Sequence, residues 1–189
     1  MTTSAQSKIA ACVLRVLPTR LARRFVRQQD GAVAVEFAFV AIPFLALIFA
    51  IMETALVFFA GQTLETAVQD SARLIMTGQA QTQGWSKDDF KTQVCAHIYG
   101  LFDCANGIYV DVKTFTDFAS VTNTPPVNNG VFDDSQLNYS PGDVGTIEVV
   151  TLYYEWPVYT FVLGNALANL NGGKRLLVAT AVFRNEPYK

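Results

Sequence analysis

AVAVEFAFVAIPFLALIFAIMETALVFFA, residues Ala32–Ala60, governs how the rest of the chain is read. Only Glu36 and Glu53 are charged in it, and Phe37–Met52 carries no charge. At 1.5 Å per residue, Ala32–Met52 makes a helix of about 31 Å, the thickness of a bilayer's hydrocarbon core. A removable secretory signal would have an apolar region of about 7–15 residues ending at an A-x-A-like site. This run is longer, and Phe58 of VFFAG stands where such a site needs a small residue. A retained anchor is the better reading, and a plain signal anchor is its simplest form.

The flanking charges give the anchor a direction. Residues 1–31 hold six basic side chains (Lys8, Arg15, Arg20, Arg23, Arg24, Arg27) and one acidic one, Asp30. The remainder holds eight basic and fifteen acidic residues of the 189-residue chain. Arginines on the N-terminal side keep that end cytoplasmic and send everything after about residue 53 outside. An acidic body argues against nucleic-acid binding. Hydrophobic residues are 51 % of the chain, too many for a disordered protein. Charged residues are 16 %, against about 25 % in soluble domains.

A plain anchor does not explain Glu36. A carboxylate costs roughly 2.5–3.5 kcal/mol at the bilayer centre and less near an interface. It follows Gly31-Ala32-Val33-Ala34-Val35 and precedes Phe37. Glycine, four small or aliphatic residues, glutamate and an apolar helix look like a type IV prepilin processing site. That resemblance implies cleavage between Gly31 and Ala32 by a membrane aspartyl prepilin peptidase. Glu36 would then pair, in an assembly, with the new amine of a neighbouring subunit, offsetting the desolvation of both. Glu53 reads as an ordinary interfacial charge.

The helix continues past the membrane. Leu56, Ala60, Leu64, Val68, Ala72 and Ile75 recur every three to four positions, with Ala67 and Ser71 alongside. The helix is predicted to run from Ala32 to Thr77, kink at Pro43 and stop at Gly78. Gln79–Gly84 (QAQTQG) reads as a polar turn. Ser86, with Asp89 three residues on, opens a short helix whose buried face is Phe90, Val94, Ile98, Leu101 and Phe102. His97, the sole histidine, lies on it and has no second histidine with which to hold a metal. Cys95 and Cys104 flank its end. Outside the cytoplasm they read as a disulfide, with two buried free thiols as the alternative. Cys12 stays on the leader side.

Strands are expected at Ile108–Phe118, Gly145–Trp156 and Leu176–Arg184. Ala119–Asp143 reads as a long mobile loop and a candidate partner surface. Asp133, Asp134 and Asp143 in it lack the spacing of an EF-hand and read as solvated. Val158–Leu170 reads as a short helix. The fold class is therefore α+β: a long N-terminal helix, partly transmembrane, packed against a small three-stranded antiparallel sheet with one or two short helices. No Gly-rich phosphate loop, G-x-S-x-G, H-E-x-x-H or C-x-x-C occurs. No enzyme activity, cofactor or metal is expected.

The arrangement resembles the TadE/TadG family, membrane-anchored pseudopilin-like proteins of the tight-adherence (Flp) pilus machinery. The marks are Asp30–Phe37, Pro43-Phe44, Ser71-Ala72-Arg73, Thr77–Gln81, the Cys95/Cys104 pair, Tyr154–Pro157 and the ending Ala181–Tyr188. The short body places it nearer the TadE-like members. The resemblance implies a pilin-like long helix and a minor pilin or pseudopilin role in pilus assembly. Its partners would be prepilin peptidase, other pilins or pseudopilins, pilus base proteins and the membrane, with no nucleic acid. The chain would be a single-pass bacterial inner-membrane protein with a periplasmic C-terminal domain. Its layout would be a basic leader over 1–31, a transmembrane helix over 32–53, its extracytoplasmic continuation over 54–78 and an α+β domain over 79–189. The alternative is a bitopic scaffold or sensor whose external domain binds an envelope partner and has no filament role.

Overall fold

The computed structural model describes residues 31–98, 100, 102–160 and 166–188. The leader, apart from Gly31, lies outside the described residues, as do Tyr99, Leu101 and the centre of the expected helix Val158–Leu170. The chain divides into two compact units, Met1–Ile48 and Phe49–Lys189.

In the first unit the described residues are the opening turns of α1 (Ala32–Met76), a helix assigned without interruption through Pro43. Its large apolar side chains are outward. Val33, Val35, Phe37, Phe39, Val40, Ile42, Phe44, Leu45 and Leu47 are between 49 % and 76 % exposed. Water would not tolerate such a surface, and a bilayer or an apolar partner would cover it. This is the one described helix long and apolar enough to cross a membrane.

The second unit is a helix laid on a sheet. Val57, Ala60, Leu64, Ala67, Val68, Ser71, Ala72 and Ile75 of α1 are buried. Val57, not Leu56, begins this stripe, and Leu56 is exposed. Counting back from Ala60 and Leu64 by three and by seven gives 57 in both cases, so the 3.6-residue repeat selects Val57. The sheet has strands β1 (Ile108–Phe115), β4 (Ile147–Pro157) and β5 (Lys174–Arg184) in that spatial order, all antiparallel. Alternation sends Val110, Val112, Val150, Leu152, Leu177, Ala179 and Ala181 to the face that packs with α1 in one core. Burying each leucine- or valine-sized side chain contributes about 1.5–3 kcal/mol.

The opposite face is also covered. Tyr139 packs with Phe90 on the helix side, whereas residues 123–137, within the Ala119–Asp143 segment expected to be a mobile loop, lie on the opposite face. They contain a two-residue hairpin, β2 (Val127–Asn128) with β3 (Val131–Phe132), turning at Asn129 and Gly130, both with positive φ. That is the Asn-Gly signature of a type I′ turn. Phe132 meets Tyr109 at 5.0 Å and Tyr153 at 5.3 Å between ring centroids. Asn123 bonds Thr180, and the backbone N–H of Asn138 donates to Asp111. Asp133 also accepts within the segment from Ser135 and Gln136, and Val127, Phe132 and Leu137 supply the apolar cover.

The connecting pieces are short. α2 (Gln79–Thr82) stands where a polar turn was expected, because Ala80 is buried and anchors it. α3 (Lys87–Ala96) begins at Ser86 with a complete capping box to Asp89. The Ser86 hydroxyl, then its backbone N–H, hold the Asp89 carboxyl below its usual range. α4 (Cys104–Gly107) leads into β1. Val158–Thr160 is not helical, contrary to expectation. Asp133 caps the turn at Asp134–Gln136 by accepting from the Ser135 N–H.

Candidate functional site

Gly31 directly precedes α1, Ala32 opens the helix and Glu36 is exposed in its second turn. Gly31 lacks the positive φ that would demand glycine, and a Cβ there would meet nothing within 4 Å. The local fold therefore gives no reason for glycine at 31. None of the ion pairs among the described residues involves Glu36. Among the described residues no cation lies beside this carboxylate, which stands among exposed valines and phenylalanines.

Glu53 is not an ordinary interfacial charge. It is 6 % exposed, in the second unit. Its carboxylate accepts from the backbone N–H groups of Tyr159 and Thr160 and from the Thr160 hydroxyl, the Thr160 N–H lying at 2.8 Å. Those donors lie just past Pro157, where β4 ends. The Val158 N–H still donates to the Gly173 carbonyl at 2.9 Å, and Tyr159 and Thr160, one step past that last cross-strand bond, turn their N–H groups to Glu53. Charge alone does not reveal this from sequence; a β4 ending at proline opposite an acidic helix residue is a faint signal.

Cys95 and Cys104 are joined as a disulfide, with Cα atoms 5.7 Å apart. The bond ties the end of α3 to the start of α4. His97 caps α3 and lies 3.9 Å from Asp70, both partly exposed. Among the described residues no group of three or more His, Cys, Asp or Glu side chains is placed to hold a metal ion.

The far end of the second unit holds a buried polar junction that sequence reasoning missed. Glu148 is fully buried and accepts from the Gly142 N–H at 2.9 Å, Thr146 Oγ1 at 2.9 Å and Thr114 Oγ1 at 3.1 Å. The Gly142 carbonyl accepts from Gln81 Nε2 and Asn185 Nδ2. The Glu186 N–H donates to the Met76 carbonyl, closing the end of α1. Gly78, with φ of +75°, lies against the Tyr188 ring, where a Cβ would have no room. The Thr77–Gln81 and Ala181–Tyr188 segments thus serve one structural purpose: they close the top of the helix on the sheet.

The family described as TadE-like protein matches over residues 31–73. Residues 31–73 form a TadE-like domain. The TadE-like segment begins at Gly31 and takes in Ala32, Glu36, Glu53 and nearly all of α1. The sheet, the disulfide and the 123–137 cover lie beyond the TadE-like match. No curated protein and no solved structure matches the chain.

Proposed function

We propose that this chain is a non-enzymatic minor pilin or pseudopilin that works in assembly of a tight-adherence pilus. The observation that carries the proposal is the head of the TadE-like domain. A glycine with no steric or positive-φ requirement among the described residues stands five residues before an exposed Glu36 that pairs with no described cation, at the start of a helix with an apolar surface. Prepilin peptidase would cut between Gly31 and Ala32, removing the basic leader. The ammonium then created at Ala32 belongs beside a neighbour's Glu36, where each charge offsets the other's desolvation. The helix crosses the inner membrane once, leader end in the cytoplasm, and the sheet-bearing body lies in the periplasm, where a disulfide persists. Other pilins, pseudopilins and pilus base proteins are the partners.

The test is Glu36→Ala in cells that build the pilus. The variant should reach the membrane at normal abundance and fail in pilus assembly. Unimpaired assembly would sink the role given to Glu36 and favour a bitopic scaffold.

A further inference from the structure

The exposed face of α1 changes character abruptly within the second unit. Phe49, Ile51, Met52, Leu56, Phe58 and Phe59 are between 47 % and 71 % exposed. From Gln62 onward the exposed positions are Gln62, Glu65, Thr66, Gln69, Asp70 and Arg73. A face used only to pack against other protein has no reason to turn fully polar at one level; a membrane–water boundary does. Ala32–Ala60 spans about 43 Å, which matches a bilayer with its headgroup layers. Residues 60–62 therefore mark the water line.

The folded body reaches below that line. Glu53 lies seven residues, about 10 Å, nearer the membrane than Ala60, and it holds Tyr159 and Thr160 by their N–H groups. The Tyr159 side chain is 81 % exposed. The strands also run along the helix from this level. β5 begins opposite Pro157 and ends beside Asn185, next to the Glu186 contact with Met76. Its 11 residues cover about 36 Å, and Glu53 to Met76 of α1 covers about 35 Å. The body thus has a membrane-proximal end at 157–160 and 174–175, and a distal end at 142–146 and 185–188. At the proximal end a groove of about 270 Å³ lies between α1 and β5, lined by Val57, Phe58, Gly61, Arg175 and Leu177 among others. Arg175 donates to the Leu167 carbonyl at 3.0 Å and is the cationic group lining this groove.

We propose that this proximal end is a lipid-contact surface, sunk into the phospholipid headgroup layer, with Tyr159 and Phe59 in that layer and Arg175 facing lipid phosphate. Aromatic rings with one polar edge favour that layer, and arginine is suited to phosphate. The placement also accounts for Glu53. A carboxylate at that depth has little bulk water, and three protein donors replace it. The proposal rests on the reading of α1 as a membrane anchor.

The test uses the full chain in phosphatidylethanolamine–phosphatidylglycerol vesicles, with Cys12→Ser and single cysteines carrying an environment-sensitive fluorophore. Tyr159→Cys and Phe59→Cys report the surface, Phe44→Cys the anchor, and Val144→Cys the distal end. Tyr159 bonds Glu53 through its backbone, so its side chain is replaceable. A spin label on the lipid headgroup should quench positions 159 and 59, a label deep in the acyl chain should quench 44, and neither should quench 144. Position 159 behaving like 144 while 44 is quenched overturns the proposal and leaves the anchor standing. Position 159 shielded from both lipid labels and from an aqueous quencher means protein contact there, and also overturns it. An unquenched position 44 overturns the anchor itself.

Discussion

Removing the Glu53 carboxylate should loosen the membrane-proximal end of the body. Glu53→Ala leaves three donors without their acceptor: the N–H groups of Tyr159 and Thr160 and the Thr160 hydroxyl. Hydrogen bonds to a charged acceptor contribute about 1.5–3 kcal/mol each. The three share one carboxylate and are not additive, so the expected loss is about 3 kcal/mol. Glu53→Gln keeps one acceptor oxygen but turns an amide nitrogen towards a donor, and should cost about half as much. Thr160→Val removes the hydroxyl alone and should cost about 1 kcal/mol. Urea unfolding of the full chain in detergent micelles reads this directly. Trp156, buried in β4 beside Pro157, is the fluorescent reporter. At a slope of about 1.5 kcal/mol per molar urea, Glu53→Ala should lower the midpoint by about 2 M. A midpoint within about 0.3 M of wild type would refute the clamp as a stabilising contact.

The same assay separates the two faces of α1. Leu64→Ala, in a fully buried position, should cost about 2–5 kcal/mol, whereas Leu56→Ala, on the exposed face, should cost under about 1; equal losses would contradict the placement of the stripe. Glu148 should give the body a pH dependence. Burial, opposed by donation from Thr146, Thr114 and Gly142, pushes its carboxyl above the ordinary value of 4.5. The folded state then holds this proton to higher pH than the unfolded chain, so the contribution is full below 4.5 and is lost as pH rises through the folded value. Glu148→Gln should gain stability relative to wild type as pH rises above 4.5, and urea midpoints that stay parallel as pH rises would count against the assignment. Reduction of the Cys95–Cys104 bond, which closes a nine-residue separation, should cost about 2.5 kcal/mol. Thiol labelling of the denatured, unreduced chain should find Cys12 alone before leader removal and none after it, and labelling at 95 or 104 would contradict the bond.

The parts legible in the sequence are those written in local pattern. The apolar run from Ala32, the 3.6-residue stripe around Leu64, the Ser86 capping box and the alternation of Ile108–Phe118 follow from periodicity and cap chemistry. Cys95 and Cys104 follow from compartment. What stayed hidden depends on pairings between distant residues. Glu53 looks like any interfacial acid until the backbone beyond Pro157 is brought to it. Glu148 shares a face with Val150 and Leu152, and a carboxylate there is explained only once Thr114, Gly142 and Asn185 surround it. The segment from 119 to 139 is rich in turn residues, and composition alone suggests mobility. Val127, Phe132 and Leu137 matter only once the second face of the sheet is known to need cover. At the head of α1, Gly31 and Glu36 were legible through their spacing, a glycine five residues before a carboxylate at the start of an apolar run, which resembles a prepilin processing site.

Processing at Gly31 is the step on which the pilin reading turns, and N-terminal sequencing of the protein from its native membrane tests it most directly. The account predicts a chain that begins at Ala32 when prepilin peptidase is present and retains its leader when the peptidase is absent. A leader retained in the presence of active peptidase, or a cut at any other bond, would contradict it.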